Sequence, residues 1–202
     1  MRLLLIATNN RGKLREYREI LAGLLFTPTS LAEQGVATEV PEEGDTFLAN
    51  AVAKARAYAD MTGLLALADD SGLEVDALRG APGVRSARFA GEGASDAERN
   101  AYLLRLLEGV PPDRRTARFV CVIAIAEPEG ELQTVRGTVE GMIAPAPRGG
   151  GGFGYDPLFY LPWLGRTMAE LSPAEKNRLS HRARAGAAAR SVLAGLAVEG
   201  ML

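Results

Sequence analysis

In the segment Arg2-Leu3-Leu4-Leu5-Ile6-Ala7 every position after the arginine is apolar, and the run then breaks off at Thr8-Asn9-Asn10. A strand that alternates apolar and polar residues can leave one face in water, whereas a continuously apolar strand needs cover on both. Apolar residues recur at helical spacing straight afterwards, at Leu14, Tyr17, Ile20, Leu21 and Leu24, which predicts a helix over about 11–23. Strand, polar turn and helix start together present free backbone N–H groups to an anion. The pattern recurs at Leu64-Leu65-Ala66-Leu67-Ala68, a short buried strand expected to stop at Asp69-Asp70-Ser71-Gly72.

The rest of the chain fits the same architecture. A helix over about 46–61 would bury Phe47, Ala51, Ala55 and Tyr58. Ser95 and Glu98 form a capping-box pattern ahead of a helix over about 96–108. Strands over about 115–127 and 131–143 flank the turn Glu127-Pro128-Glu129-Gly130. Ser172-Pro173-Ala174-Glu175 starts another helix, and the Ala-rich stretch over about 181–197 is helical. No internal repeat or long linker interrupts the 202 residues, so the expectation is one α/β domain, 1–202, with a mixed sheet.

Composition narrows the function. A formal net charge of −2 lacks the broad basic surface that nonspecific nucleic-acid binding needs. A small phosphorylated substrate needs only a few local cations. One cysteine, Cys121, excludes an intramolecular disulfide and a multi-cysteine zinc site, and its apolar neighbours make it a core residue. No apolar run approaches the roughly 18 residues that span a membrane. The N-terminal apolar run is cut too early for a signal segment, so a cytoplasmic location is expected.

Four polar islands carry chemistry. Thr8-Asn9-Asn10-Arg11-Gly12-Lys13 can hold a polyphosphate through backbone amides and a lysine, or can simply cap a helix. Glu42-Glu43-Gly44-Asp45-Thr46 offers carboxylates for a hard cation, or first-turn acids with Asp45 or Thr46 as N-cap. Asp69-Asp70-Ser71-Gly72 puts paired carboxylates at the end of a buried strand, where α/β folds place ligands; the same residues also suit a plain turn. Gly149 through Pro157 allows close backbone approach and offers the rings of Phe153 and Tyr155. Lys176 and the adjacent donors His181 and Arg182 follow; the same stretch also suits a flexible loop with a basic helix.

Taken together these islands resemble the inosine triphosphate pyrophosphatase family, enzymes of deaminated purine nucleoside triphosphates. The matching stretches are Ala7–Lys13, Glu42–Ala51 with Lys54-Ala55, Ala68–Leu73, Gly80–Arg88, Gly151–Pro157 and Ser180–Arg182, in family order across nearly the whole chain. The chain departs from the family where Glu42-Glu43-Gly44 replaces Glu-Thr-Gly and where Ala49-Asn50-Ala51 replaces Glu-Asn-Ala.

The resemblance implies an elongated mixed sheet flanked by helices, two lobes with a nucleotide cleft, and a homodimer. It implies Mg²⁺ held by Glu42 and one or both of Asp69 and Asp70, with Asp70 deprotonating the attacking water. Thr8, Asn9, Asn10, Arg11, Gly12, Lys13, Ser71 and Lys176 would serve the triphosphate. Phe153, Gly154, Tyr155, Asp156, His181 and Arg182 would serve the base, with Phe153 stacked on the purine and Arg182 donating to O6. The rival readings are a pyrophosphatase of modified pyrimidine or methylated nucleotides, and a nucleotide sensor that does not hydrolyse.

Overall fold

The computed structural model describes residues 2–199. The chain alternates strand and helix through its first half: β1 (Arg2–Ile6), α1 (Arg11–Ile20), β2 (Phe26–Ser30), α2 (Phe47–Thr62) and β3 (Leu65–Val75). Then follow α3 (Asp96–Leu106), β4 (Thr116–Ala126), β5 (Leu132–Ile143), β6 (Phe159–Leu161), β7 (Arg166–Thr167), α4 (Pro173–Leu179) and α5 (His181–Glu199). The seven strands form one sheet in the order β2-β1-β3-β4-β5-β6-β7. β1 pairs in parallel with β2 and β3, whereas β6 runs antiparallel to β5 and β7, so the sheet is mixed as expected. The interior position of β1 explains its unbroken apolar run, since Leu4, Leu5 and Ile6 are all fully buried.

Backbone packing groups the chain into two compact units. The first comprises the chain up to Asp70, Cys121–Gly137 and the chain from Arg182; the second comprises Ser71–Val120 and Thr138–His181. In the first unit, Leu4, Ile6, Leu65, Leu67, Cys121, Ile123 and Ile125 pack against Tyr17 and Leu21 of α1 and Ala185, Ala189 and Leu193 of α5. The core of the second unit gathers Leu73, Val75, Leu103, Leu107, Phe119, Tyr155 and Phe159. Among the described residues, no helix is long and apolar enough to cross a membrane.

One local expectation changes. β3 does not stop at Asp69; it runs through Asp69-Asp70-Ser71-Gly72 to Val75. Pairing with neighbouring strands and cations around the carboxylates outweigh the turn propensity of those residues. β2, Phe26-Thr27-Pro28-Thr29-Ser30, lies at the sheet edge, the place where a strand tolerates a proline that has no N–H to donate. The helix start at Ser172 and the helical stretch over about 181–197 form as read, as α4 and α5, with the extended Ser180 (φ −68°, ψ 160°) between them. The capping boxes at Ser95 and Ser172 form as read, and Thr46 rather than Asp45 caps α2.

Candidate active site

In the first unit the site begins where β1 ends. Asn10 caps α1 by accepting from the Lys13 N–H at 3.0 Å, and Thr8 Oγ accepts from the Asn10 N–H. Asn9 donates to Glu39 at 3.2 Å, and Arg11 is exposed at the helix start. Asn10 thus caps the helix, and Lys13 is not solvated but points inward, with its ammonium 2.9 Å from Asp69 Oδ2.

Strand geometry separates the two aspartates. Successive side chains on a strand point to opposite faces, so Asp69 shares a face with Leu65 and Leu67, toward α1 and α5. Asp70 points the other way, to α2, where Asn50 Nδ2 donates to its Oδ2 at 2.9 Å. Both carboxylates are buried, at 2% and 5% exposure. Burial pushes Asp69 upward, but Lys13, Arg182 and Lys54 outweigh it and hold the carboxyl well below the usual range. Burial wins at Asp70, whose carboxyl is raised against the opposing pull of Lys54 and the Asn50 amide.

Around Asp69 the charges interlock. Arg182, 2% exposed, donates to Glu16 at 2.5 Å, has its Nε 4.0 Å from Asp69, and lies over the Tyr17 ring at 5.9 Å. Burial alone would weaken the guanidinium's hold on its proton; Asp69 and Glu16 reverse that and keep it charged. Asp69 Oδ1 is buried and accepts no hydrogen bond among the described residues. Cys121 lies 3.8 Å from Asp69 and 3.5 Å from the Tyr17 hydroxyl, and burial pushes its thiol up to about 12.

Around Asp70, α2 supplies the ordering. Lys54 bonds the Glu42 carboxylate and donates to the Asp69 backbone carbonyl at 2.7 Å. Burial tends to pull Lys54 down, but Asp69 and Glu42 raise it, so it stays protonated. Asn50 works at both ends: its Oδ1 accepts from the Gly44 N–H at 2.7 Å while its amide holds Asp70. A Cβ at Gly44 would come within 2.7 Å of Asn50 Oδ1 and 2.8 Å of the Ala49 Cβ, so the loop carrying Glu42 needs glycine there. Asn50, Lys54 and Tyr58 follow at i, i+4 and i+8, one inward face of α2.

The second unit holds the aromatic loop. Asp156, 2% exposed, accepts from the Phe153 N–H at 2.9 Å and from Lys176 at 2.5 Å. The Lys176 ammonium also lies 4.5 Å from the Phe153 ring centre. Phe153 itself is half-buried. Tyr155 is placed differently from the sequence expectation: it sits in the core, 4% exposed, and its hydroxyl donates to the Ser86 carbonyl at 3.0 Å. It anchors the loop and offers no open ring face. His181 is buried and stacks on Phe119, with ring centres 4.6 Å apart and an angle of 18°. Ser71 is half-buried on β3.

Sequence reasoning left Glu16, Asn50 and Lys54 out of the site. A signal was present for the last two, because a lysine and an asparagine interrupt the otherwise apolar inner stripe of α2. Glu16 follows Lys13 by one helical step and gave no such sign.

A model of the Ham1 family matches residues 4–192 of this chain. The chain belongs to the Ham1 family. It is 57% identical over 190 residues to the dITP/XTP pyrophosphatase of Desulforamulus reducens, covering 94% of each chain. It is 54% identical over 181 residues to the dITP/XTP pyrophosphatase of Thermus thermophilus, covering 89% of this chain and 86% of that one. Among solved structures, a HAM1 protein from Coxiella burnetii superimposes with a TM-score of 0.88 at 47% identity, over 96% of this chain and 98% of the other. The Staphylococcus aureus Ham1 protein gives 0.86 at 41% identity, over 96% and 99%. The mixed sheet with flanking helices is thus the fold of this Ham1 family member and its relatives.

Proposed function

We propose that this protein hydrolyses deaminated purine nucleoside triphosphates, dITP, ITP, dXTP and XTP, to the monophosphate and pyrophosphate in a Mg²⁺-dependent reaction. What supports the reading is the near-full-length match to relatives bearing the name dITP/XTP pyrophosphatase, joined to the buried Asp70 carboxylate that the Asn50 amide orients. Such an enzyme would cleanse the nucleotide pool of the cytoplasm before polymerases draw on it, working as a homodimer.

The donor set fits Mg²⁺. Among the described residues no three His, Cys, Asp or Glu side chains cluster as a metal cage. Mg²⁺ does not require one, since it is usually held by one or two carboxylates and completes its shell with water and phosphate oxygens. Glu42 and Asp70 would hold it, on the α2 side of the sheet. Asp69, turned to the other face, is the counter-ion of Lys13 and Arg182. When bound, the cation neutralises phosphate charge and acidifies water.

Asp70 would take the proton of the attacking water. In the metal-free protein burial raises its carboxyl against the pull of Lys54 and the Asn50 amide, the direction that favours proton uptake. The water oxygen bonds to the α-phosphorus as the bond from that phosphorus to the bridging oxygen breaks, and pyrophosphate leaves. Lys13 and Lys176 would compensate its charge, with Thr8, Asn10 and Ser71 as hydrogen-bonding partners. Phe153 would stack on the purine. Arg182, held protonated, can only donate, so it would donate to the O6 of hypoxanthine or xanthine and oppose the N6 amine of adenine.

The test is pyrophosphate release from inosine, xanthosine, adenosine, guanosine and thymidine triphosphates, with Mg²⁺ or EDTA, for wild type and Asp70→Asn. Release from the first two alone, lost with EDTA and with the substitution, is the expected result. Preference for thymidine or methylated nucleotides would remove the base-reading role of Arg182. Tight inosine triphosphate binding without turnover would replace the enzyme by a sensor.

A further inference from the structure

The ring proposed to stack on the base sits on a loop, and a loop residue cannot hold an aromatic face in place unless its backbone is fixed. In this structure the fixing comes from α3. The Gly154 N–H donates to Asp96 Oδ2 at 2.6 Å, and Asn100 Nδ2 donates to the Gly154 carbonyl at 3.0 Å. Asp96 and Asn100 are separated by one helical turn, so they present two groups of opposite polarity on one face of α3. One bonds the N–H and the other the C=O of the same residue. Gly154 itself has φ +64°, a conformation that side chains rarely adopt.

The clamp continues on both sides. The preceding N–H, of Phe153, is taken by Asp156. The following residue, Tyr155, is tied through its hydroxyl to Ser86. On the helix side, Asp96 is itself held by Arg99, which also bonds the Ala87 and Ala94 carbonyls. Asn100 is 5% exposed, and its Oδ1 accepts nothing among the described residues, so the side chain's one contribution on view is the bond to Gly154.

We infer that Asp96 and Asn100 are positioning residues for base recognition. By fixing both polar groups of Gly154 they set the backbone of the 152–156 loop, and hence the direction in which the Phe153 ring presents its face. The inference rests on the reading that Phe153 stacks on the purine. Neither residue touches the base; both act through Phe153.

The experiment is a double-mutant cycle of Asn100→Ala and Phe153→Leu, read as KM and kcat for inosine triphosphate alongside Tm. Asn100→Ala should raise KM about tenfold with kcat within about twofold, the signature of lost binding alone. In the Phe153→Leu background the same change should move KM by less than about twofold, because the ring it positions is gone. An equal KM factor in both backgrounds, or none in either, overturns the clamp. Phe153→Leu leaving KM unchanged overturns the stacking reading first and the clamp with it. If Asn100→Ala does not fold, Asp96→Ala against Asp96→Asn carries the test. Asparagine keeps an oxygen for the Gly154 N–H and should restore KM, whereas equal KM values for the two variants would sink the inference.

Discussion

The carboxylate cluster and the aromatic loop are held in opposite ways. Around Asp69 and Asp70, ion pairs dominate: Lys13, Arg182 and Lys54 bind the carboxylates of Asp69, Glu16 and Glu42, and Asn50 adds an amide bond to Asp70. Around Phe153, side chain meets backbone: Asp156, Asp96 and Asn100 bind the N–H and C=O groups of a loop that has no regular structure of its own. The first arrangement fixes charge, the second fixes shape. A cluster meant for phosphate and a cation needs charges that stay in one state, whereas a stacking face needs only a fixed plane.

Each half of this comparison can be broken separately. The largest effect is expected for Arg182→Met, which leaves Glu16 and Asp69 buried without their guanidinium and should cost about 3–5 kcal/mol in urea unfolding. Adding Glu16→Leu should recover part of that loss, and no recovery would mean that the network is not the source. Next, Lys13→Ala should lower kcat/KM for inosine triphosphate by about 30- to 5,000-fold, the effect of losing a charge partner worth roughly 2–5 kcal/mol. A drop of less than threefold would leave Lys13 as a structural partner of Asp69 only.

The third test uses pH. Carboxyl NMR of the metal-free protein should show Asp70 titrating above the ordinary aspartate range and Asp69 below it. The signs then differ. Asp69 stabilises the fold above its unfolded pKa and loses that contribution as pH falls through its depressed folded value. Asp70 favours the fold below its unfolded pKa and loses that contribution as pH rises through its raised value. Cys121, raised to about 12, should resist alkylation at pH 8 in the folded protein and react once it is unfolded. The smallest effect belongs to the helix that carries the clamp: Ser95→Ala removes its cap and should cost about 1 kcal/mol.

Most of the charged cluster was legible because polar residues end two apolar runs, at Thr8 and at Asp69, and such interruptions are chemically costly without a reason. The strand status of Asp69-Asp70-Ser71-Gly72 was not legible, because turn-prone residues were held in a strand by neighbours distant in sequence. That placement matters, since it sends the two carboxylates to opposite faces. Glu16 was hidden because a charge on a helix ordinarily reads as solvated, and only tertiary packing buries it. Asp96 and Asn100 were masked by the capping box beside them, which accounts for polar residues at a helix start with no further role. Tyr155 was read as an open ring, yet it lies next to core residues that only the folded loop brings near.

Pro28 has a consequence for assembly. An exposed strand edge is a template on which another chain can add a strand, and a short edge carrying proline withholds a donor from any newcomer. β2 is five residues long, with Pro28 at its centre opposite Leu4 of β1. Two copies of this chain that associate would therefore gain little by continuing the sheet across that margin, and a dimer would have to be built from side chains on another surface.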